Sequence, residues 1–225
     1  MELRRLGSQG VRGDGALKHG ARVWRVGYVS SPLEYPPHPS WANRFDDPGK
    51  RFRTLYCARD RLTSLREVLA DFGPDLKTLR VLLRLPGDVM PAAGYVPWKW
   101  RKSNALAPAR LDISQGELVR LDDLTVRRQL ELEYVDFLVS HRVKRLDISK
   151  LRSKDRIVTQ KLAGALFDRG AAGIAYKSNV DDHLCVALFE GRARLVPAGD
   201  PEPLSEPVRG LGRVCKELGL ILFHG

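Results

Sequence analysis

An irregular succession of strand-like and helical stretches predicts an α+β domain with a mixed sheet, not a doubly wound parallel one. Two observations carry this. Short runs rich in aromatic, β-branched and other apolar residues recur at Arg22 to Val29, Thr54 to Ala58, Gly173 to Lys177 and His183 to Phe189. Two further stretches carry apolar residues at helical spacing instead. A chain of 225 residues that is 43% hydrophobic can also bury a real core without covalent staples.

Residues 1–20 are rich in Gly, Arg and Lys without a hydrophobic period, and read as a mobile or loosely packed arm. Gly7, Gly10, Gly13 and Gly15 do not make a phosphate loop, since no strand precedes them and no Gly-Lys-Ser/Thr follows. After the first strand, Pro32, Pro36, Pro37, Pro39 and Pro48 mark a loop containing Trp41-Ala42-Asn43-Arg44-Phe45-Asp46-Asp47. Thr54 to Ala58 forms the second strand. Leu62, Leu65, Val68, Leu69 and Phe72 then describe a helix that Gly73-Pro74 ends. Leu76 to Leu85 reads as a strand stopped by Pro86-Gly87.

The rest of a single domain over 21–225 follows. Residues 87–110 carry no clear period. Trp98-Lys99-Trp100-Arg101-Lys102 suits either a nucleic-acid platform or tryptophans packed under snorkelling lysines. A helix is expected within 117–140 and a strand from Val143 to Ile148. Arg-Leu-Asp-Ile-Ser occurs at 110–114 and again at 145–149, too little for a repeat. From about Asp155 to Asp168, Val158, Leu162, Ala165 and Leu166 form a helix stripe; Ser153 or Asp155 caps it and Gly170 stops it. The turn Ser178-Asn179-Val180-Asp181-Asp182 joins the next two strands, and Arg192 to Val196 extends the sheet. A proline-rich connector at 197–207 leads to a short helix and a last strand within Val208 to Phe223.

Composition limits the function. Cys57, Cys185 and Cys215 lie far apart, against a disulfide framework or a zinc knuckle and in keeping with a reducing compartment. The N-terminus lacks the apolar core of a secretory signal, and no run approaches the roughly 20 apolar residues of a membrane span. A soluble, cytoplasmic protein is expected. The net charge of +11 draws anions, whether nucleic acid, an acidic partner or a phosphorylated small molecule. No zinc finger or RNA-binding signature favours nucleic acid.

HExxH, GxSxG and CxxC are all absent, and the five histidines show no ligand spacing. What stands out is an ordered set. It comprises Arg25-Val26 in the first strand, Asn43-Arg44-Phe45 in the loop, Leu55-Tyr56-Cys57-Ala58 in the second strand, Glu67 in the helix, and Ala172-Gly173-Ile174-Ala175-Tyr176-Lys177-Ser178 near the far end. On the helix, Glu67 lies about 150° from the centre of the apolar stripe, which by geometry alone makes it a surface carboxylate or one lining a cleft.

This set, spanning about residues 21–196, resembles the RES family, named for its Arg, Glu and Ser residues. The resemblance implies an ADP-ribosyltransferase-like mixed sheet flanked by helices. It also implies an enzyme that takes NAD as substrate, needs no metal, and breaks the nicotinamide–ribose bond by hydrolysis or phosphorolysis. Many members are the toxin of a bacterial pair whose antitoxin carries a helix-turn-helix domain, so a small antitoxin is an expected partner. A homodimer is left open, and nucleic acid enters only through the antitoxin.

On this resemblance Arg44 and Arg25 anchor phosphate or ribose, since arginine's fork holds two phosphate oxygens. Tyr56 contacts nicotinamide, Glu67 steadies the ribosyl cation, and Ser178 completes the pocket, with Tyr176 and Asn179 as lesser contributors. A core tyrosine, a strand-edge Arg25 and an ordinary turn serine are the plain alternatives. The basic stretch 98–153 departs from the family pattern; as a lid or partner surface it would alter substrate choice. The rival readings are protein ADP-ribosylation and a basic nucleic-acid-binding module that has lost the chemistry.

Overall fold

The computed structural model describes residues 17–82, 84 and 94–223, so the expected arm lies outside it up to Ala16. Leu17 is buried, and Gly20 N–H donates to Leu111 O, which ties this end to the sheet. The first half of the chain runs β1 (Arg22–Tyr28), β2 (Thr54–Ala58), α1 (Arg61–Leu69) with a short 3-10 turn, α2 (Leu76–Leu82), β3 (Gly94–Val96), α3 (Trp98–Ser103) and β4 (Asn104–Ile113). Then come β5 (Leu118–Arg120), α4 (Leu124–Glu133), α5 (Val135–Ser140), α6 (Ile148–Arg152) and α7 (Ile157–Asp168). The chain closes with β6 (Gly173–Lys177), β7 (Leu184–Phe189), β8 (Ala193–Pro197), β9 (Glu202–Pro203), α8 (Leu211–Glu217) and β10 (Leu220–Leu222).

The main sheet has the order β5-β6-β7-β2-β1-β4-β8, with β9 added against β4. Only β5 and β6 pair in parallel within it, so it is a mixed sheet flanked by helices, as the irregular pattern predicts. β3 and β10 form a separate parallel pair.

Strand alternation divides the core in two. One face presents Trp24 and Val26 of β1, Tyr56 and Ala58 of β2, Ile174 and Tyr176 of β6, and Cys185 and Ala187 of β7. There α4 to α7 cover one apolar cluster, and α1, α3 and α8 cover its neighbour. The other face presents Val23, Leu55, Cys57, Val186 and Leu188, and among the described residues it is covered by Leu17, Ala21, Leu33 and Tyr35. Gly173 must be glycine for β6 to lie this close to β7, because a Cβ there would sit 2.4 Å from the Ala187 carbonyl oxygen.

Several expectations are overturned. The expected strand from Leu76 is a helix as far as Leu82, begun by Asp75 accepting Thr78 N–H at 2.7 Å, while Leu83 and Leu85 at its far end lie outside the described residues. Leu76 and Val81 are exposed there, so the cap and straight-chain residues decide the local structure, with no sheet to claim it. Val143 to Ile148 is not a strand either. It turns back under Leu146, whose N–H donates to Glu131, and Asp147 then caps α6. The helix expected within 117–140 is present as α4, with β5 before it and α5 after it.

The longest strand among the described residues, β4, begins in the unassigned region, and its Ala-Leu-Ala-Pro-Ala run hides its nature because it lacks β-branched residues. Trp98 to Lys102 is helical, and Arg101 is buried, donating to Leu204 O and Phe223 O. All three cysteines are free and buried. Among the described residues no helix is long and apolar enough to cross a membrane.

Candidate functional site

Tyr56 points from β2 into the helix-covered face, where it organises the loop that carries Arg44. Its hydroxyl donates to Asp46 Oδ1 at 3.0 Å and accepts the Phe45 N–H at 3.0 Å. Asp46 Oδ2 in turn accepts the N–H and side-chain amide of Asn43, both at 2.9 Å. Thr54 Oγ1 holds the Phe45 carbonyl from the same strand, and Gln160 of α7 reaches the carbonyls of Trp41 and Asn43. Trp41 lies in the left-handed region at φ 59°, a strained position that this network maintains.

The loop sets the Arg44 guanidinium 5.3 Å from the centre of the Tyr176 ring, a cation–π arrangement. Burial lowers the Arg44 pKa, opposed by Tyr176, Glu67 and Tyr56 and aided by Arg156. Its Nε is buried without a hydrogen-bond partner. Burial, with further contributions from Cys185, Glu67 and Tyr56, raises the Tyr176 phenol well above its ordinary value, so it stays neutral.

Glu67 comes to this site from α1. Asp60 caps the helix by accepting Thr63 N–H at 2.9 Å. The stripe Leu65 and Leu69 packs into the core, while Thr63 and Ser64 are buried on the adjoining side. Glu67 is half-buried there and accepts the Ser178 hydroxyl at 2.5 Å. Ser178 is wholly buried, and its Oγ accepts the N–H groups of Val180 and Asp181 at 3.0 and 3.3 Å. Below this contact, Asp181 accepts hydrogen bonds from Thr63 Oγ1 at 2.7 Å and Arg66 at 2.9 Å, locking α1 to the turn after β6.

The structure thus gathers Arg44, Tyr56, Glu67 and Ser178 on one face of the sheet, with Tyr176 beside them. It does not bring Arg25 to them. Arg25 alternates with Trp24 along β1 and so stands on the opposite face, where its Nη1 donates to Pro32 O at 2.5 Å. Burial, opposed by Cys57, Tyr28 and Tyr35, lowers its pKa to about 10. Asn179 lies at the turn, its side chain bonded to Arg152 O.

Sequence reasoning passes over Asp46, which fixes the Arg44 loop, and over Thr63 and Ser64. Asp60, Thr63, Ser64 and Glu67 recur at helical spacing, a polar stripe that could have shown a buried polar side of α1. Arg152 and Lys177, which line the small cavity beside Arg44 and Tyr176, carry no local signal at all. That cavity is about 20 Å³, room for a single water in this conformation. Among the described residues no group of three or more His, Cys, Asp or Glu is gathered as a metal would need.

The RES domain family model matches residues 22–205, which takes in every one of these side chains. The chain belongs to the RES family. Comparison with curated proteins gives no match. Among solved structures, the M. tuberculosis MbcT–MbcA toxin–antitoxin complex is similar at 12% identity and a TM-score of 0.45, over 90% of each chain. Within the RES match, the first third supplies Arg44, Tyr56 and Glu67 and the last strands supply Ser178, so the family's span is also the span needed to build the site.

Proposed function

We propose that this RES domain, in a cytoplasmic setting, breaks the nicotinamide–ribose bond of NAD as the toxin of a toxin–antitoxin pair, with a small helix-turn-helix antitoxin as partner. The observation that carries the reading is the Glu67 carboxylate held by a buried serine hydroxyl in the same site as the half-buried Arg44. Heterolysis sends the C1′–N electron pair to the nicotinamide ring, neutralising its pyridinium charge, and leaves an oxocarbenium-like ribose. A fixed carboxylate steadies that cation. Arg44 holds phosphate oxygens. Tyr56 serves by positioning Arg44 through Asp46 and Phe45, a role that fits its hydrogen bonds better than stacking on nicotinamide.

Water capturing the cation yields ADP-ribose and a proton; inorganic phosphate yields ADP-ribose-1″-phosphate. The test is incubation of the protein with NAD, with and without phosphate, with products identified by mass. Free nicotinamide must appear with wild type and fall to background with Glu67→Gln. NAD left intact by the folded wild type overturns the reading, and a mass increase on protein moves it to ADP-ribosyl transfer.

A further inference from the structure

Among the described residues, three buried side-chain nitrogens lack a hydrogen-bond partner: the Nε atoms of Arg25, Arg44 and Arg152. Arg25 is on the far face of the sheet. Arg44 and Arg152 line one cavity, together with Lys177 and Tyr176. Two guanidiniums and an ammonium around one small space, with Arg156 also acting on Arg44, repel one another unless an anion lies among them. The carboxylate in the cavity wall, Asp122, is engaged by Arg120 through Nε at 3.0 Å and Nη2 at 2.6 Å.

We propose that Arg152 is a second anion anchor, which exchanges its ion pair with Asp182 for the diphosphate of the bound dinucleotide. The inference rests on the NAD reading for the identity of the ligand, and on the paired arginines for the site. Arg152 ends α6, and Nη2 donates to the Ser178 carbonyl oxygen at 3.2 Å and pairs with Asp182. Asp182 is 73% exposed, so that ion pair is readily given up to a better anion. Ser178 links the two ends of the site: its carbonyl receives Arg152 and its hydroxyl is given to Glu67. An anion gripped by Arg152 and Arg44 is therefore registered against the carboxylate that faces the ribose. In the cavity wall α6 supplies Ile148 and Leu151 as well as Arg152.

The test measures binding of ADP-ribose and of inorganic pyrophosphate by calorimetry to wild type, Arg152→Met and Asp182→Asn, beside the steady-state kinetics of NAD cleavage. Losing one charge-assisted phosphate contact in Arg152→Met should weaken both ligands about tenfold or more and raise KM for NAD with kcat changed less than about twofold. Asp182→Asn, which frees the guanidinium, should bind both ligands a few-fold more tightly, an effect that loss of structure cannot produce. Unchanged affinity in both variants overturns the proposal, as does a folded wild type that binds neither ligand. Should Arg152→Met fail to fold, the Asp182→Asn comparison decides alone. Absence of NAD cleavage by wild type would sink the proposed reaction, while the pyrophosphate arm still reads the anchor.

Discussion

Ser178 has one hydroxyl proton, and Glu67 receives it. Removing that donor in Ser178→Ala loses a hydrogen bond to a charged group, worth about 1.5–3 kcal/mol. If the bond orients Glu67 toward the ribose, kcat for NAD should fall about 10- to 100-fold with KM little changed. An unchanged kcat in a folded protein would deny Ser178 its positioning role. At Tyr56 the effect is different in kind. Tyr56→Phe leaves Asp46, only 2% exposed, without its phenol donor, and should cost about 1–3 kcal/mol in urea unfolding. The same variant should raise KM for NAD more than it lowers kcat, because it frees the loop that presents Arg44. A loss confined to kcat would return Tyr56 to the nicotinamide.

The contact between α1 and the turn after β6 is the element on which the site depends, and it titrates. Burial would raise the Asp181 carboxyl, but hydrogen bonds from Thr63, the His183 N–H and Arg66 outweigh it and hold the pKa below the ordinary value. Asp60 is likewise lowered, burial being outweighed by Thr63 and His183. Folded values below unfolded ones mean stability that is present above about pH 4 and is lost as pH falls through the lowered values. Thermal melts should therefore show wild type losing stability steeply below that pH, and Asp181→Asn, less stable near neutrality, losing less of it. Equal acid sensitivity in the two would remove Asp181 from the account.

Elements were legible where local pattern and tertiary demand agree. β2 is alternately core on both faces and α7 has a full apolar stripe, so both stand out. The two copies of Arg-Leu-Asp-Ile-Ser show the limit. At 110–114 the segment ends β4, held by β8; at 145–149 the same residues turn, and the aspartate caps α6. Only a neighbouring strand distinguishes them, and no local pattern reveals that neighbour. For the same reason Glu67 looks superficial from its own helix, because the buried serine that receives its side lies more than a hundred residues away.

At the scale of the whole molecule, the net charge of +11 acts as a field rather than as contacts. Raising salt beyond about 0.1 M, where screening acts within about 10 Å, should raise KM for NAD several-fold and leave kcat nearly constant. A salt-independent KM would confine the attraction to the half-buried Arg44 and Arg152. Burial also raises the three thiols, Cys57 to about 12, so iodoacetamide should label the native chain slowly and the unfolded chain fast.

The central pairing of β2 with β7, Thr54 against Phe189, joins the first quarter of the chain to its last. Such distant partners make for slow folding. They also give biosynthesis an order of events. A nascent chain that has released its residues only as far as α7 has Arg44 and Glu67 but neither Ser178 nor the strand that pairs with β2. The candidate site therefore comes together only late in synthesis, once β7 has joined β2.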